Sequence, residues 1–454
     1  MKILFYTHTP RAFRTTLIGY LYELCQIHEV VLLAEKLDQE TETALKRKDL
    51  FPRLSKIITV EQFTGRKRGL LAKNKYFFTL AKEVVLSHMP DVVILASDFH
   101  PFELYLARFA KKNGALVITT QAFFSMVDWS ETSRIADLSN AHLKLSAMMP
   151  LKIRLFLIKC REYFGHFLYY WFLPASNLQK PFLGESSLNL HRGWVGMRDS
   201  DCQTVFSKID YDIYSRIYLK CGVPVEKMFI LPHPLQLEAR EFFEKIYFSK
   251  FKKEKNGRKI ASVMLSSQKA LGFHKDNLLP IPPLEREKKW SQAIKLMSQI
   301  LEGWQIYIKP HPSTKNIDHL KEVFEQISSD IKVTDPKEPV DKYIEMADVV
   351  VELPPSLGTS LFTALLQCPE KPIISLDLYN ELAGDGYKNF PGVEYIDAEN
   401  KFATVLKEIK EDKYRKNNFS SNNSKSELWP LEFENIEKLI DYLTKKPRKL
   451  KSPD

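Results

Sequence analysis

Asp91-Val-Val-Ile-Leu-Ala96 sets the terms for the chain around it. The run is apolar at successive positions, so both its faces must be buried, and a strand buried on both faces belongs in a parallel sheet covered by helices. Similar short runs recur at Lys2–Tyr6, Val30–Leu33, Ala115–Thr120, Lys259–Leu265, Ile306–Ile308, Asp348–Val351 and Pro372–Leu376. Stretches with apolar residues near helical spacing separate them, as with Leu17, Leu21 and Leu24. Strand alternating with helix along the chain predicts an α/β fold of doubly wound parallel sheets. At 454 residues the chain exceeds one ordinary core, so two such domains are expected. The boundaries read 1–238 and 259–443, with a basic linker at 239–258, a basic tail at 444–454 and an insertion at about 140–192.

Gln305-Ile-Tyr-Ile-Lys-Pro-His-Pro312 points to chemistry. Proline lacks the N–H that a ladder needs and has a fixed φ, so the strand stops at Lys309. Each proline also holds the residue before it extended. Lys309 and His311 therefore stand at the carboxyl end of a strand, where open α/β sheets bind ligands. Both side chains suit an anion. Further on, the strand ending at Glu352 leads into Pro354-Pro-Ser-Leu-Gly-Thr-Ser360 and an apolar helical stretch. A hydroxyl-rich turn at a helix N-terminus is a second place for a phosphate, with Ser356, Thr359 and Ser360 as its side chains. Ser266 and Ser267 end the strand Lys259–Leu265 and are nucleotide-side candidates. Local capping of the strand end by His311, and of the helix by the hydroxyls, explains the same residues without a ligand and is compatible with one.

The amino-terminal half opens as strand, helix, strand without glycine in its first turn, so it is not the G-x-G-x-x-G dinucleotide fingerprint. Its ligand-facing ends carry His8, Arg11 and Arg14 after the first strand, Asp98 and His100 after Asp91–Ala96, and Gln121 after Ala115–Thr120. A base that takes a proton from an acceptor belongs on this side. Asp98 is the first candidate and His100 the second, while Glu103 reads as a helix cap. His8, Arg11, Arg14 and Gln121 are acceptor-side candidates, the two arginines for an anionic acceptor. Asp199-Ser-Asp201 has a spacing that can hold a divalent ion, but no metal site is assigned.

The net charge of +10 is gathered at Lys46–Lys48, Arg66–Arg68, Lys250–Lys259 and Lys445–Lys451. These are loops and tails without an RNA-binding signature, which argues against nucleic acid. Residues 151–175 begin basic and continue as the uncharged aromatic run Tyr163–Pro174. That run is short for a bilayer span. It fits either a membrane interface or a buried helical hairpin. Five scattered cysteines without a C-x-x-C pair suit reduced thiols in the cytoplasm, and the first strand lacks a signal-peptide core.

Taken together, the two βα halves resemble GT-B-fold glycosyltransferases. The motifs behind this are Gly222-Val-Pro-Val-Glu-Lys227 with Ile230-Leu-Pro-His-Pro-Leu235, then Lys309-Pro-His-Pro312, then Pro354–Ser360. The nearest resemblance is to surface- and capsule-polysaccharide enzymes, the polysialyltransferase and Kdo-transferase-like groups with an H-P motif and a later serine motif. CDP-glycerol glycerophosphotransferases and UDP-N-acetylglucosamine 2-epimerases share the architecture. The resemblance implies two Rossmann-like domains facing a cleft, and sugar transfer from a nucleotide-activated donor to a glycan or lipid-linked acceptor. The basic patches and the aromatic run would hold such an enzyme in the cytoplasm at the inner face of the cell membrane. It places His311 against the donor phosphate, assisting departure of the nucleotide, with Ser356, Thr359 and Ser360 binding the same group. Such a site uses fixed donors and needs no metal or other cofactor. The competing expectations are a soluble 2-epimerase, a polyol-phosphate transferase and a non-catalytic binding protein.

Overall fold

The computed structural model describes residues 1–7, 13–35, 37–60, 70–96, 101–121, 149–150, 152–157, 160, 200–220, 224–236, 239–248, 251, 257–266, 273–274, 276, 279–353, 359–380, 392–415 and 432–445. The chain divides into two compact units, one around each of two parallel sheets.

The first sheet has strands β1 (Lys2–Thr7), β2 (Glu29–Ala34), β3 (Leu54–Thr59), β4 (Val92–Leu95), β5 (Leu116–Thr120), β6 (Cys202–Val205) and β7 (Met228–Ile230), in the order β3-β2-β1-β4-β5-β6-β7. All pairings are parallel. The apolar runs are buried as their composition demands: β4 and β5 are buried at every position. Helices Leu70–His88 and Pro101–Lys112 cover one face, packing Phe77, Val84, Phe102 and Leu106 on Leu4, Val93 and Val117. Strand order reverses between β1 and β4, which makes their carboxyl ends the switch point of this sheet.

Helix Ile18–Ile27 lies hard against the segment that leaves β7. Tyr20 donates its hydroxyl to the Pro232 carbonyl at 3.0 Å. A Cβ on Gly19 would sit 2.3 Å from Pro234 Cβ and 3.0 Å from the Phe243 ring. Alanine in a helix ordinarily gains about 1 kcal/mol over glycine. Here overpacking reverses the sign, and Gly19→Ala is expected to lower stability by roughly 1–3 kcal/mol. A urea midpoint that rises instead would show that the helix does not need this approach.

The second sheet has β8 (Ile260–Leu265), β9 (Gln305–Lys309), β10 (Ile331–Val333), β11 (Val349–Leu353), β12 (Ile373–Leu376) and β13 (Glu394–Ile396), in the order β10-β9-β8-β11-β12-β13. These pairings are also parallel, and the reversal falls between β8 and β11. The two faces differ. One is aliphatic: Val263, Leu265, Ile308, Val351 and Leu376 pack under Trp290, Ile294, Met297 and Leu406. On the other, the register row Lys309, Met264, Glu352, Ser375, Tyr395 crosses five strands. Side chains in one row share a face, so a buried lysine and a buried carboxylate lie on the same side of the sheet.

Several expectations change. The stretch read as a basic linker starts as helix Ala239–Phe243 and a π-helical turn Glu244–Phe248, with Phe242, Phe243, Ile246, Tyr247 and Phe248 buried. Its aromatic residues outweigh its charges. The boundary read at 443 takes in most of the last described helix, Ile436–Lys445. That helix packs on the first unit, where Tyr442 and Phe433 close around Phe229 of β7. In the D-x-D stretch, Asp201 accepts the Val117 N–H at 2.8 Å and pairs with Lys111 at 3.1 Å, a structural use. Asp199 and most of the 140–192 insertion lie outside the described residues, as does the tail beyond Lys445. Among the described residues no helix is long and apolar enough to cross a membrane.

Candidate functional site

The carboxyl edge of the second sheet gathers the strongest signals. Ser266 follows β8 directly, is only 5% exposed, and its hydroxyl has no hydrogen-bond partner among the described residues. A buried hydroxyl left in that state costs about 1–3 kcal/mol unless something binds it. Helix Thr359–Gln367 starts after β11, across the switch point, with Ser360 half-buried in its first turn. The free N–H groups of such a turn attract anions. Ser267 and Ser356 lie outside the described residues.

His311 shows what the two prolines achieve. The Ser313 backbone N–H donates to its Nδ1 at 3.1 Å, and the Ser313 hydroxyl lies 2.8 Å from the same atom. A backbone N–H can only donate, so Nδ1 is the acceptor and the neutral ring carries its proton on Nε2. The turn thus fixes His311 as an Nε2–H donor.

Lys309 is only 3% exposed. Its ammonium donates to the Pro310 and Pro336 carbonyls, each at 2.9 Å. It braces the exit of β9 against the loop after β10, where the sequence suggested a point charge for phosphate. Glu352, buried near the end of β11, was not anticipated. A carboxylate inside Val349-Val-Val-Glu-Leu353 was its visible signal.

The first sheet has a second polar cluster at its carboxyl edge. Thr7 ends β1 buried, its hydroxyl without a partner among the described residues. Tyr6 donates to Glu35 at 2.6 Å. Burial pushes the Tyr6 phenol far above its ordinary pKa, and the Glu103 and Glu35 carboxylates push it further. Glu103 itself is fully buried in the first turn of Pro101–Lys112. His233 repeats the turn seen at His311, since its Nδ1 accepts the Leu235 N–H at 3.1 Å. Its Nε2–H then faces Thr16 Oγ1 at 3.2 Å, in the π-helical turn Phe13–Leu17. Burial lowers the His233 pKa to about 3, so the ring is neutral. The recurrence of Pro-His-Pro after β7 and after β9 was the clue to this residue.

The acceptor-side candidates separate. Arg14 forms an ion pair with Glu40 at 2.9 Å. Gln121 is buried, donating to Asp210 at 2.9 Å and accepting the Phe206 N–H at 3.0 Å, so both ends of its amide hold β5 to β6 and the helix beyond. Its assignment as an acceptor contact gives way to that internal role. His8, Arg11, Asp98 and His100 lie outside the described residues. Among the described residues no group of three His, Cys, Asp or Glu side chains could hold a metal.

No protein-family model matches the sequence, and no curated protein matches it. Solved structures do. UDP-GlcNAc 2-epimerase from Methanocaldococcus jannaschii is 15% identical, with a TM-score of 0.55 over 98% of this chain and 99% of that one. The same enzyme in complex with UDP-GlcNAc and UDP gives 14% identity and a TM-score of 0.50 over 98% and 99%. Another UDP-N-acetylglucosamine 2-epimerase gives 11% and 0.54 over 91% and 89%. At these identities the similarity establishes the fold, GT-B with two Rossmann-like domains. The resemblance to polysialyltransferase and Kdo-transferase-like groups narrows to that shared fold.

Proposed function

We propose that this chain is an enzyme acting on a nucleotide sugar, with chemistry closest to that of a UDP-N-acetylglucosamine 2-epimerase. One observation carries the reading: the buried Ser266 hydroxyl, unpartnered among the described residues, at the second sheet's switch point, at the same edge as the fixed Nε2–H donor of His311 and a helix start. Solved 2-epimerases of the same fold, one with UDP and UDP-GlcNAc bound, support the ligand class. When the bond between the anomeric carbon and the diphosphate breaks, charge collects on phosphate oxygens. Donors already in place stabilise that charge without reorganisation. Ser356, Thr359 and Ser360 complete the proposed phosphate contacts. Asp98, which follows β4 in the sequence, is the proposed base, and His100 its alternative.

Inverting the carbon beside the anomeric centre requires its proton to leave and one to return on the opposite side. Incubation with UDP-GlcNAc in heavy water, without acceptor, is therefore expected to place deuterium at that carbon. Absence of exchange and of UDP release, in a sample that binds UDP, would refute epimerisation. The second reading is transfer to a glycan or lipid-linked acceptor at an anionic membrane surface. It is favoured by the exposed Ile153, Phe156 and Leu157, beside Lys152, on helical residues 152–157. That reading predicts UDP release only when acceptor is added.

A further inference from the structure

A cavity of about 370 Å³ opens beyond the carboxyl ends of β12 and β13. Ligand sites span roughly 300–1,000 Å³, so this one suits a single ring. Its walls are held by a buried carboxylate. Asp377 accepts the Tyr395 hydroxyl at 2.8 Å and the Tyr379 N–H at 3.2 Å. Tyr379 in turn donates its hydroxyl to the Arg286 carbonyl at 2.6 Å. Both phenols are thus engaged within the fold, and what they offer the cavity is ring surface. Asn380 follows with a left-handed φ of 52°, a conformation asparagine tolerates, and adds an amide to the rim.

The charged groups decide what fits. Glu285 and Asp397 bring two carboxylates, Lys289 one ammonium, and His274 an imidazole whose Nδ1 lies 3.4 Å from the Tyr379 carbonyl, so Nδ1 is the donor and Nε2 of the neutral ring is left as an acceptor. An excess of carboxylate disfavours a phosphate or an acidic sugar. The Asn380 NH2 lies 3.3 Å from both oxygens of Asp276. An uncharged ring carrying hydroxyls can therefore donate to Glu285, Asp397 and the Asn380 amide oxygen, accept from Lys289, and lay its C–H face on the tyrosine rings. The cavity shares an edge with the β8/β11 switch point but lies one to two strands away, roughly 5–10 Å.

We propose that this cavity is a second ligand site, specific for a neutral saccharide ring and separate from the phosphate site. It stands on its own lining and goes beyond the nucleotide-sugar reading. The test is calorimetric titration of the full chain with glucose, N-acetylglucosamine and glucose 6-phosphate, with and without saturating UDP. The neutral sugars are expected to bind saturably in both conditions and glucose 6-phosphate to bind more weakly. Asp397→Asn and Lys289→Met, both away from the core, should each weaken the sugar roughly tenfold, the loss of one hydrogen bond to a charged group. UDP affinity should stay within about twofold, because neither group is among the phosphate contacts. An unchanged melting temperature confirms that the variants fold. The proposal is overturned if no neutral sugar saturates, if glucose 6-phosphate binds as tightly, if UDP displaces the sugar, or if both variants bind like wild type. Failure of UDP to bind, with sugar binding intact, would count against the nucleotide reading alone.

Discussion

Acidification from pH 6.5 towards pH 3 is expected to remove up to about 4–5 kcal/mol of stability through one side chain, His233. Burial holds the folded pKa at about 3, while the unfolded chain titrates near the ordinary value of 6.5. Between those values the unfolded state binds a proton that the folded state refuses. Stability from this residue is therefore complete above about pH 6.5 and falls as pH drops through the window. The physical cause is specific. Nδ1 already accepts the Leu235 N–H, so protonation would set a donor against a donor, and the ring edge packs on Phe206 with centroids 4.9 Å apart. His233→Gln keeps a group that can donate to Thr16 and removes the titration. Urea unfolding of the two proteins from pH 7.5 to pH 4 checks this: wild type should lose stability faster, and the gap between them should close. Parallel profiles would mean that His233 is not buried neutral.

Lys309→Met should lower the melting temperature of the second unit by roughly 6–12 °C. Two hydrogen bonds from an ammonium are lost, about 1.5 kcal/mol each, and the Pro310 and Pro336 carbonyls stay behind. Lys309→Arg should not restore it, because a planar guanidinium does not fit the space of a 3% exposed ammonium. The exit of β9 would loosen, and with it the turn that sets the His311 proton. A lysine serving only as a phosphate charge would behave differently: the methionine variant would melt like wild type and lose affinity for anions alone. Calorimetric melting separates the two.

How much of this was legible before the structure depends on the kind of residue. Runs such as Val92–Leu95 announced buried parallel strands because they are short, rich in β-branched residues and set between helical stretches, which separates them from a buried helix. Glu394-Tyr-Ile396 has no such run, and its strand went unseen. So did helix Gln39–Leu45, whose polar sequence shows only the cap, Asp38, accepting the Thr41 N–H at 2.9 Å. The prolines correctly marked the end of β9. What they could not show is the Ser313 N–H that orients His311, because that contact depends on turn geometry.

Strand-end position was also a weaker guide to function than it looked. Arg14 and Gln121 both stand near carboxyl ends of strands, yet Glu40 and Asp210, distant in sequence, engage them. Their partners come from other elements, and pairing across elements has no local signature. The last described helix shows the same limit: its apolar face is clear, but the sequence does not say that Phe229 is what it covers. His233 was readable in principle, since Pro-His-Pro occurs at two strand exits and builds the same Nδ1 turn in both.

The central claim is that the carboxyl edge around Ser266, His311 and Thr359 receives a nucleotide diphosphate. The measurement that tests it is calorimetric titration of UDP, with CMP, CDP and GDP alongside, into wild type and His311→Ala. UDP is expected to bind wild type with one site, and His311→Ala to weaken it tenfold or more, about 1.4 kcal/mol for one lost donor to phosphate. If no nucleotide binds a folded sample, or if His311→Ala binds UDP as tightly as wild type, the phosphate site lies elsewhere and the account fails.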